Sequence, residues 1–433
     1  MSNPPTRVST RSLPTRTQVA LAAARAARWA SRKSGRGKGS MIGGLIAARI
    51  DPSIMQRLAA GKRTALITGT NGKSTTTRMV AAALAGVGEV VTQADGANMD
   101  AGIIAALTQE QHAAVAALEV DELHVPHVAD FTEPEVLVLL NLSRDQLDRV
   151  GEINSIERKL RAGIERHPEM TVIANCDDVL VASAAYDAAQ VIWVAAGGGW
   201  ANDSVSCPRS GEPIVRDGID WYSSGTDFRR PTPDWWFDDK GIHGPDGFHA
   251  ELSLQLPGNA NRGNATQAVA AAVAMGADPD TAVTAVSAVG EVAGRYGIRQ
   301  VGSHSVRMLL AKNPAGWQEA MSMIDQDADG LVIAVNGQVP DGEDLSWLWD
   351  VRFEAFETMQ VVAAGERAAD LGVRLLYAGA EHTTIDDPMR AIASCPPGRV
   401  EVLANYTAFR DLGVAIDRAA RHGRIPADGQ ERR

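Results

Sequence analysis

The chain has 433 residues, of which 45% are hydrophobic and 22% charged, with a formal net charge of −11. That length exceeds one ordinary core, so two or three domains are expected; the apolar content excludes wholesale disorder, and the acidic balance argues against a general nucleic-acid binder. Cys176, Cys207 and Cys395 form no C-x-x-C pair, as fits a reduced cytoplasmic compartment, and no uncharged apolar run approaches the roughly 20 residues of a membrane span.

Residues 1–50 read as a basic arm and approach. Arg7, Arg11, Arg16, Arg25, Arg28, Arg32, Lys33, Arg36 and Lys38 meet no acid until Asp51, and a helix is expected from Gln18 to Lys33. Such a segment could lie against anionic lipid or be solvated, and a solvated, partly helical arm is the favoured reading. A central domain is expected over 51–295. It begins with an apolar run, Ala65 to Ile67, that enters the turn Gly69-Thr70-Asn71-Gly72-Lys73-Ser74-Thr75 and leaves it in an Ala- and Leu-rich helix. This is strand, phosphate loop, helix: the glycines let backbone N–H groups close on phosphate oxygens, Lys73 reaches the outer phosphates, and Ser74 or Thr75 can ligate Mg²⁺. Ile67 stands where the general phosphate-loop rule has its first glycine.

Further strands are expected at Glu89–Thr92, Ala113–Leu118, Val136–Leu140 and from Val172. They deliver the glycine loop around Asn98, then Glu119 to Glu122, then Asn141 to Asp148, then Asn175 to Asp178. Acids and amides gathered at one edge of an open parallel sheet mark a ligand site, and Glu119 is placed there either to hold Mg²⁺ directly or through water or, as acids after a strand often do, to cap the next helix. Asp145 and Asp148 could equally form a capped, solvated turn. A Gly-, Pro- and Trp-rich insertion with short hairpins is expected over about 197–250. Asn261 and Asn264, three apart at a helix start, suit either capping or a hydrogen bond to a base edge. A second doubly wound α/β unit is expected over 296–418, with strands at Val306–Ala311, Leu331–Val335, Met359–Val362, Arg374–Tyr377 and Val400–Leu403 and a charged tail over 419–433.

The phosphate loop, Asn98-Met99, Glu119 to Glu122, Asn141 to Arg149, Lys312 to Gly316, Asp341 to Asp350 and Ala404 to Ala408 together resemble the amidating branch of the Mur ligase family, over nearly the whole chain. The resemblance implies an α/β fold: a Mur ligase-type central ATPase domain with a parallel-rich sheet and a small inserted β subdomain, then a Rossmann-like C-terminal domain. It implies an ATP-dependent carbon–nitrogen ligase that amidates the D-glutamate α-carboxylate of the lipid II stem peptide through an acyl phosphate. ATP and Mg²⁺ would be used, in a heterodimer with a GatD-type glutaminase that supplies ammonia at the cytoplasmic face of the membrane. It further implies Glu119 as a Mg²⁺ ligand, Asn261 and Asn264 near adenine, Asp177 or Asp178 near the nucleotide, and Asp350, with Asp344 competing, orienting the glutaminase histidine. Lys159 lies one place out of register with the carbamylated lysine of several relatives, so an ordinary surface lysine is expected. Relatives carry a four-cysteine zinc ribbon in the insertion; with Cys207 alone here no structural zinc is expected, Trp221, Phe228 and Trp235 packing in its place. The alternatives are an amino-acid-adding ligase of the Mur or folylpolyglutamate type and a non-catalytic ATP-binding scaffold.

Overall fold

Residues 13–33, 40–93, 96–144, 150–198, 201–290, 296–342, 344–356 and 359–422 are described by a computed structural model, in which the chain divides into two units. The first takes in residues up to Leu142, 153–255 and 259–289; the second takes in 143–152, 256–258 and everything from Gly290.

The apolar runs of the first unit form strands because they are buried on both faces of one sheet, where β-branched and small side chains pack without polar exposure. Its helices and strands, in order, are α1 (Thr15–Lys33), α2 (Ser40–Ile50), α3 (Ile54–Ala59), β1 (Arg63–Thr68), α4 (Lys73–Leu84), β2 (Val90–Thr92), α5 (Asp100–Gln109), β3 (Val115–Glu119), α6 (Val125–Thr132), β4 (Val136–Leu139), α7 (Val150–Glu165), β5 (Thr171–Asn175), α8 (Val179–Ala185), β6 (Val191–Ala195), β7 (Ile214–Asp217), β8 (Asp220–Ser223), β9 (Trp235–Phe237), β10 (Gly241–His243), β11 (His249–Glu251), α9 (Asn259–Ala274) and α10 (Pro279–Ser287). The sheet runs β11-β10-β9-β6-β5-β4-β1-β3-β2. From β9 to β2 every pairing is parallel, and β1 is central, with Ile67 in register with Glu119 on one side and Val138 on the other. The ends of β1, β3 and β4 therefore open at one place.

Two features depart from expectation. The basic arm is a helical hairpin built into this unit: Ala20, Leu21, Ala24 and Ala47 share one core with Leu66, Ile103 and Leu118. Among the described residues of α1 the buried ones are Thr17, Ala20, Leu21, Ala24 and Ser31, small or polar but for one leucine, so burial leaves little trace in the hydropathy pattern. The insertion also divides. β7 and β8 form a separate two-stranded sheet, whereas β9 to β11 extend the main sheet. Trp235 accordingly packs against Phe248 and not with Trp221 and Phe228.

The second unit holds β12 (Tyr296–Val301), β13 (His304–Leu310), α11 (Pro314–Ser322), β14 (Gly330–Ala334), β15 (Val361–Ala364), α12 (Ala368–Tyr377), β16 (His382–Thr384), α13 (Pro388–Ser394), β17 (Gly398–Ala404) and α14 (Tyr406–His422). Its sheet order is β12-β13-β17-β14-β15-β16, parallel except for β12. Arg374–Tyr377, expected as a strand, is the last turn of α12: Leu371 and Leu375 are buried four apart, while Leu376 and Tyr377 point to solvent. Asp145 and Asp148 lie outside the described residues.

Candidate active site

At the end of β1 the chain turns through Gly69 to Gly72 into α4. Gly72 caps that helix at φ +82°, ψ −10°, a left-handed conformation that a Cβ disfavours, and a Cβ there would also stand 3.0 Å from the Asn264 side-chain amide. No side chain caps α4, so the first N–H groups face the turn, as an anion requires. Lys73 is buried. Its ammonium donates to the Gly69 carbonyl, to the Thr70 carbonyl at 3.3 Å and to the Glu122 carboxylate at 3.2 Å, so the cation is held across the loop and balanced by an acid from the chain after β3.

Glu119 ends β3 and is 3% exposed. Gln93 fixes its main chain from both sides, donating to its carbonyl at 2.7 Å and accepting from its amide at 2.9 Å. The carboxylate itself has no hydrogen-bond partner among the described residues. A Cβ on Gly96 would stand 3.2 Å from Ser74 Oγ and 3.7 and 3.9 Å from the Glu119 oxygens, so hydroxyl and carboxylate converge on one point. Thr75 is buried beside Ser74 in the first turn. A pair of hard oxygens, one buried and one half-buried, next to a phosphate-type loop fits Mg²⁺ carrying nucleotide phosphates, since Mg²⁺ is bound through one or two protein oxygens plus phosphate and water. The donor set and the loop thus fit ATP with Mg²⁺.

The loop's shape is held from β4. The Asn141 side chain accepts from the Asn71 amide at 2.8 Å and donates to the Asn71 carbonyl at 3.1 Å, while its own carbonyl accepts from the Thr70 amide at 2.9 Å. Asn141 and Glu122 were named in the sequence only within longer motifs; both act across strands on the loop, a relation that spacing along the chain does not expose. Asn264 reaches Gly72, one helical turn beyond Asn261 on α9.

Asp178 and Asp177 part company. Asp178 caps α8, accepting from Leu180 and Val181, and also from Leu142 at 2.9 Å. Burial pushes its carboxyl up to about 6 against the opposing pull of those three N–H donors. Asp177 pairs with Arg230 at 2.7 Å and accepts from the Gly197 amide at 2.8 Å, two strands away from β1, beside a cavity of about 390 Å³ that Trp221 and Phe237 also line. Lys159 is exposed on α7. In the insertion, buried Cys207 packs with Trp221 and Phe228. Burial raises its thiol, but hydrogen bonds from Ser210 and Ser223 outweigh that and leave it below the usual thiol range. One thiol among hydroxyls and indole does not suit the four soft ligands of a structural zinc.

In the second unit, Asp350 follows the 3₁₀ turn Ser346–Trp349, with its carboxylate 3.8 Å from Arg144. Asp344 accepts from the Ser346 amide at 2.8 Å, which draws its carboxyl below the ordinary range. Next to Asp350, Trp349 (56% exposed) meets Tyr377 (73% exposed) edge-on at 5.3 Å, with exposed Val373 and Leu376 on the same helix α12. Arg374, buried, donates to the Leu348 and Val351 carbonyls and so fixes the turn to that helix.

The Mur ligase middle domain family matches residues 67–272 and the MurT ligase C-terminal family residues 310–409. Subunit MurT of the lipid II isoglutaminyl synthase (glutamine-hydrolyzing) of Streptococcus pneumoniae is 28% identical over 87% of this chain and 92% of its own. The subunit of the same name from Staphylococcus aureus strain COL is 27% identical, over 94% and 99%. Among solved structures, MurF from Acinetobacter baumannii gives a TM-score of 0.64 at 18% identity, covering 86% of this chain and 80% of that one. A pseudomurein peptide ligase type C from Methanothermus fervidus gives 0.60 at 18%, covering 83% and 79%. At such identities the solved structures speak to the fold alone.

Proposed function

Because this chain belongs to the Mur ligase family, with a C-terminal domain of the MurT type, we propose that it is the ATP-dependent amidating subunit of a lipid II isoglutaminyl synthase. The acceptor is the α-carboxylate of D-glutamate in the lipid II stem peptide, the product is D-isoglutamine, and ammonia comes from a GatD-type glutaminase bound to this subunit. A carboxylate is a poor electrophile. Its oxygen attacks the terminal phosphorus of ATP, ADP leaves, and the resulting acyl phosphate is attacked by ammonia, which loses a proton as phosphate departs.

In that scheme the turn from Gly69 to Ser74 binds the phosphates through main-chain N–H groups, and Lys73 offsets the charge that builds on the transferred phosphoryl. Ser74, Thr75 and Glu119 would hold Mg²⁺, which supplies charge neutralisation between the outer phosphates. Asn141 keeps the loop in shape, and Asn261 and Asn264 line the start of α9, where the nucleoside is assigned. Asp350 positions the partner's catalytic histidine as its tautomer-fixing carboxylate. The exposed Trp349 and Tyr377 beside it supply the aromatic surface such an association favours. The observation that carries the reading is the convergence of the Ser74 hydroxyl and the Glu119 carboxylate on one point beside a lysine-bearing loop.

The test combines the purified chain, a GatD-type glutaminase, ATP, glutamine and lipid II. The expected product is lipid II about one mass unit lighter, absent with Lys73→Ala. Turnover with a free amino acid and no need for a glutaminase identifies an amino-acid-adding ligase instead, and nucleotide binding without any product identifies a scaffold.

A further inference from the structure

α1 and α2 run antiparallel, with Gly43 against Ala24 and the Arg16 guanidinium on the Ile50 carbonyl. Their inner faces are buried in the core. Their outer faces are apolar as well: Val19, Trp29, Met41, Ile42 and Leu45 are all exposed, Trp29 at 65% and Leu45 at 56%. Helical spacing places Val19, Ala22, Ala26 and Trp29 on one outward stripe of α1, flanked by Arg25 on one side and Arg16 on the other. Ten of the chain's 42 basic residues and none of its 53 acidic ones fall in the first 50 residues. Beside that stripe, exposed Arg25 with Arg28, Gln109, Gln111 and His112, and one acid, Glu110, line a cavity of about 500 Å³ between the hairpin and the end of α5. The Nε of Arg28 is buried there without a hydrogen-bond partner among the described residues.

We infer that the α1–α2 hairpin docks this subunit on an anionic lipid bilayer, the outer apolar residues entering the headgroup boundary and the Arg25–Arg28 cavity taking a lipid phosphate. Exposed tryptophan and aliphatic residues bordered by arginine and lysine, with no carboxylate on the helices, are what an interfacial element requires. Charge selects the occupant: the first 50 residues carry ten basic and no acidic side chains, against 32 basic and 53 acidic in the remainder, so this end is complementary to such a membrane. Among the described residues no helix is long and apolar enough to span a membrane, so docking would be peripheral. The inference goes beyond the reaction proposed above, and it is read without ATP or acceptor, so the two can fail separately.

The test is co-sedimentation of the full chain with phosphatidylcholine vesicles with or without 30% phosphatidylglycerol. Binding to the anionic vesicles is expected, at least tenfold above neutral ones and falling with added salt. Trp29→Ser with Leu45→Ser should lower it at least tenfold while circular dichroism and ATP affinity stay unchanged. Arg25→Glu, on an exposed side chain, should weaken it and flatten its salt dependence. No binding to anionic vesicles at low salt, or equal binding by the serine variant, overturns the inference. So does a dimer in light scattering that the serine variant converts to monomer, since the surface then belongs to a second copy.

Discussion

The clamp on the phosphate loop lends itself to a quantitative test. Asn141→Ala removes two side-chain hydrogen bonds, of 2.8 and 3.1 Å, to the amide and carbonyl of Asn71, while the main-chain bond from Thr70 remains. At about 0.5–1.5 kcal/mol net for each bond, roughly 1–3 kcal/mol is lost. If the loop loosens locally, that free energy must be supplied when nucleotide orders it. ATP affinity then falls about 5- to 150-fold, at about 1.4 kcal/mol per factor of ten, while global stability barely moves. If the loop stays ordered, the same loss emerges as lower stability in urea with ATP affinity retained. Calorimetric ATP titration and equilibrium unfolding, on the same preparation, divide the total. Asn141→Asp keeps the acceptor for the Asn71 amide but loses the donor and adds negative charge where phosphate is expected, so it should bind ATP at least as poorly as the alanine variant. Unchanged ATP affinity together with unchanged unfolding for Asn141→Ala would refute the clamp.

Glu119→Gln should fold like the parent, because its carboxylate has no hydrogen-bond partner among the described residues, yet lower turnover roughly 100-fold and raise the Mg²⁺ needed for half-maximal rate; a magnesium titration of ATP consumption reads both. Asp350→Asn should abolish glutamine-driven amidation by roughly 100-fold or more while leaving turnover on added ammonia intact, and a parallel loss of both would remove Asp350 from the glutaminase. Asp178, pushed up to about 6 from an ordinary 3.8, gives stability that is complete below the lower value and is lost as pH rises through 6. Between about pH 4.5 and 7.5 the parent should lose about 2 kcal/mol relative to Asp178→Asn in urea unfolding, and a pH-independent difference would contradict that burial.

The phosphate loop and the strands that bring acids to its edge were legible because each is a local pattern: an apolar run, then glycines, then a lysine at a helix start. The four residues Arg374–Tyr377 were misread as a strand because so short an apolar run has no period of its own; Leu371 and Leu375, buried four apart, decide for helix only when the longer window is counted. The hairpin of α1 and α2 reads in the sequence as a solvated, partly helical arm because small residues such as Ala20, Ala24, Gly43, Gly44 and Ala47 make up most of its buried face, which close packing makes valuable and hydropathy does not. Trp235 was grouped with Trp221 by composition, although it belongs to a strand that pairs with β6. Nothing local announces that Asn141 would hold Asn71, seventy positions away, since that bond exists only once β4 lies beside β1.

The nine-stranded sheet stops at both margins on strands of three residues, β2 and β11, the latter ending in His249 and Glu251. Such short borders, the second of them polar as well, offer another chain little main-chain ladder to extend. Growth by strand addition, the ordinary hazard of a large open sheet, is thereby blunted at the margins of this one.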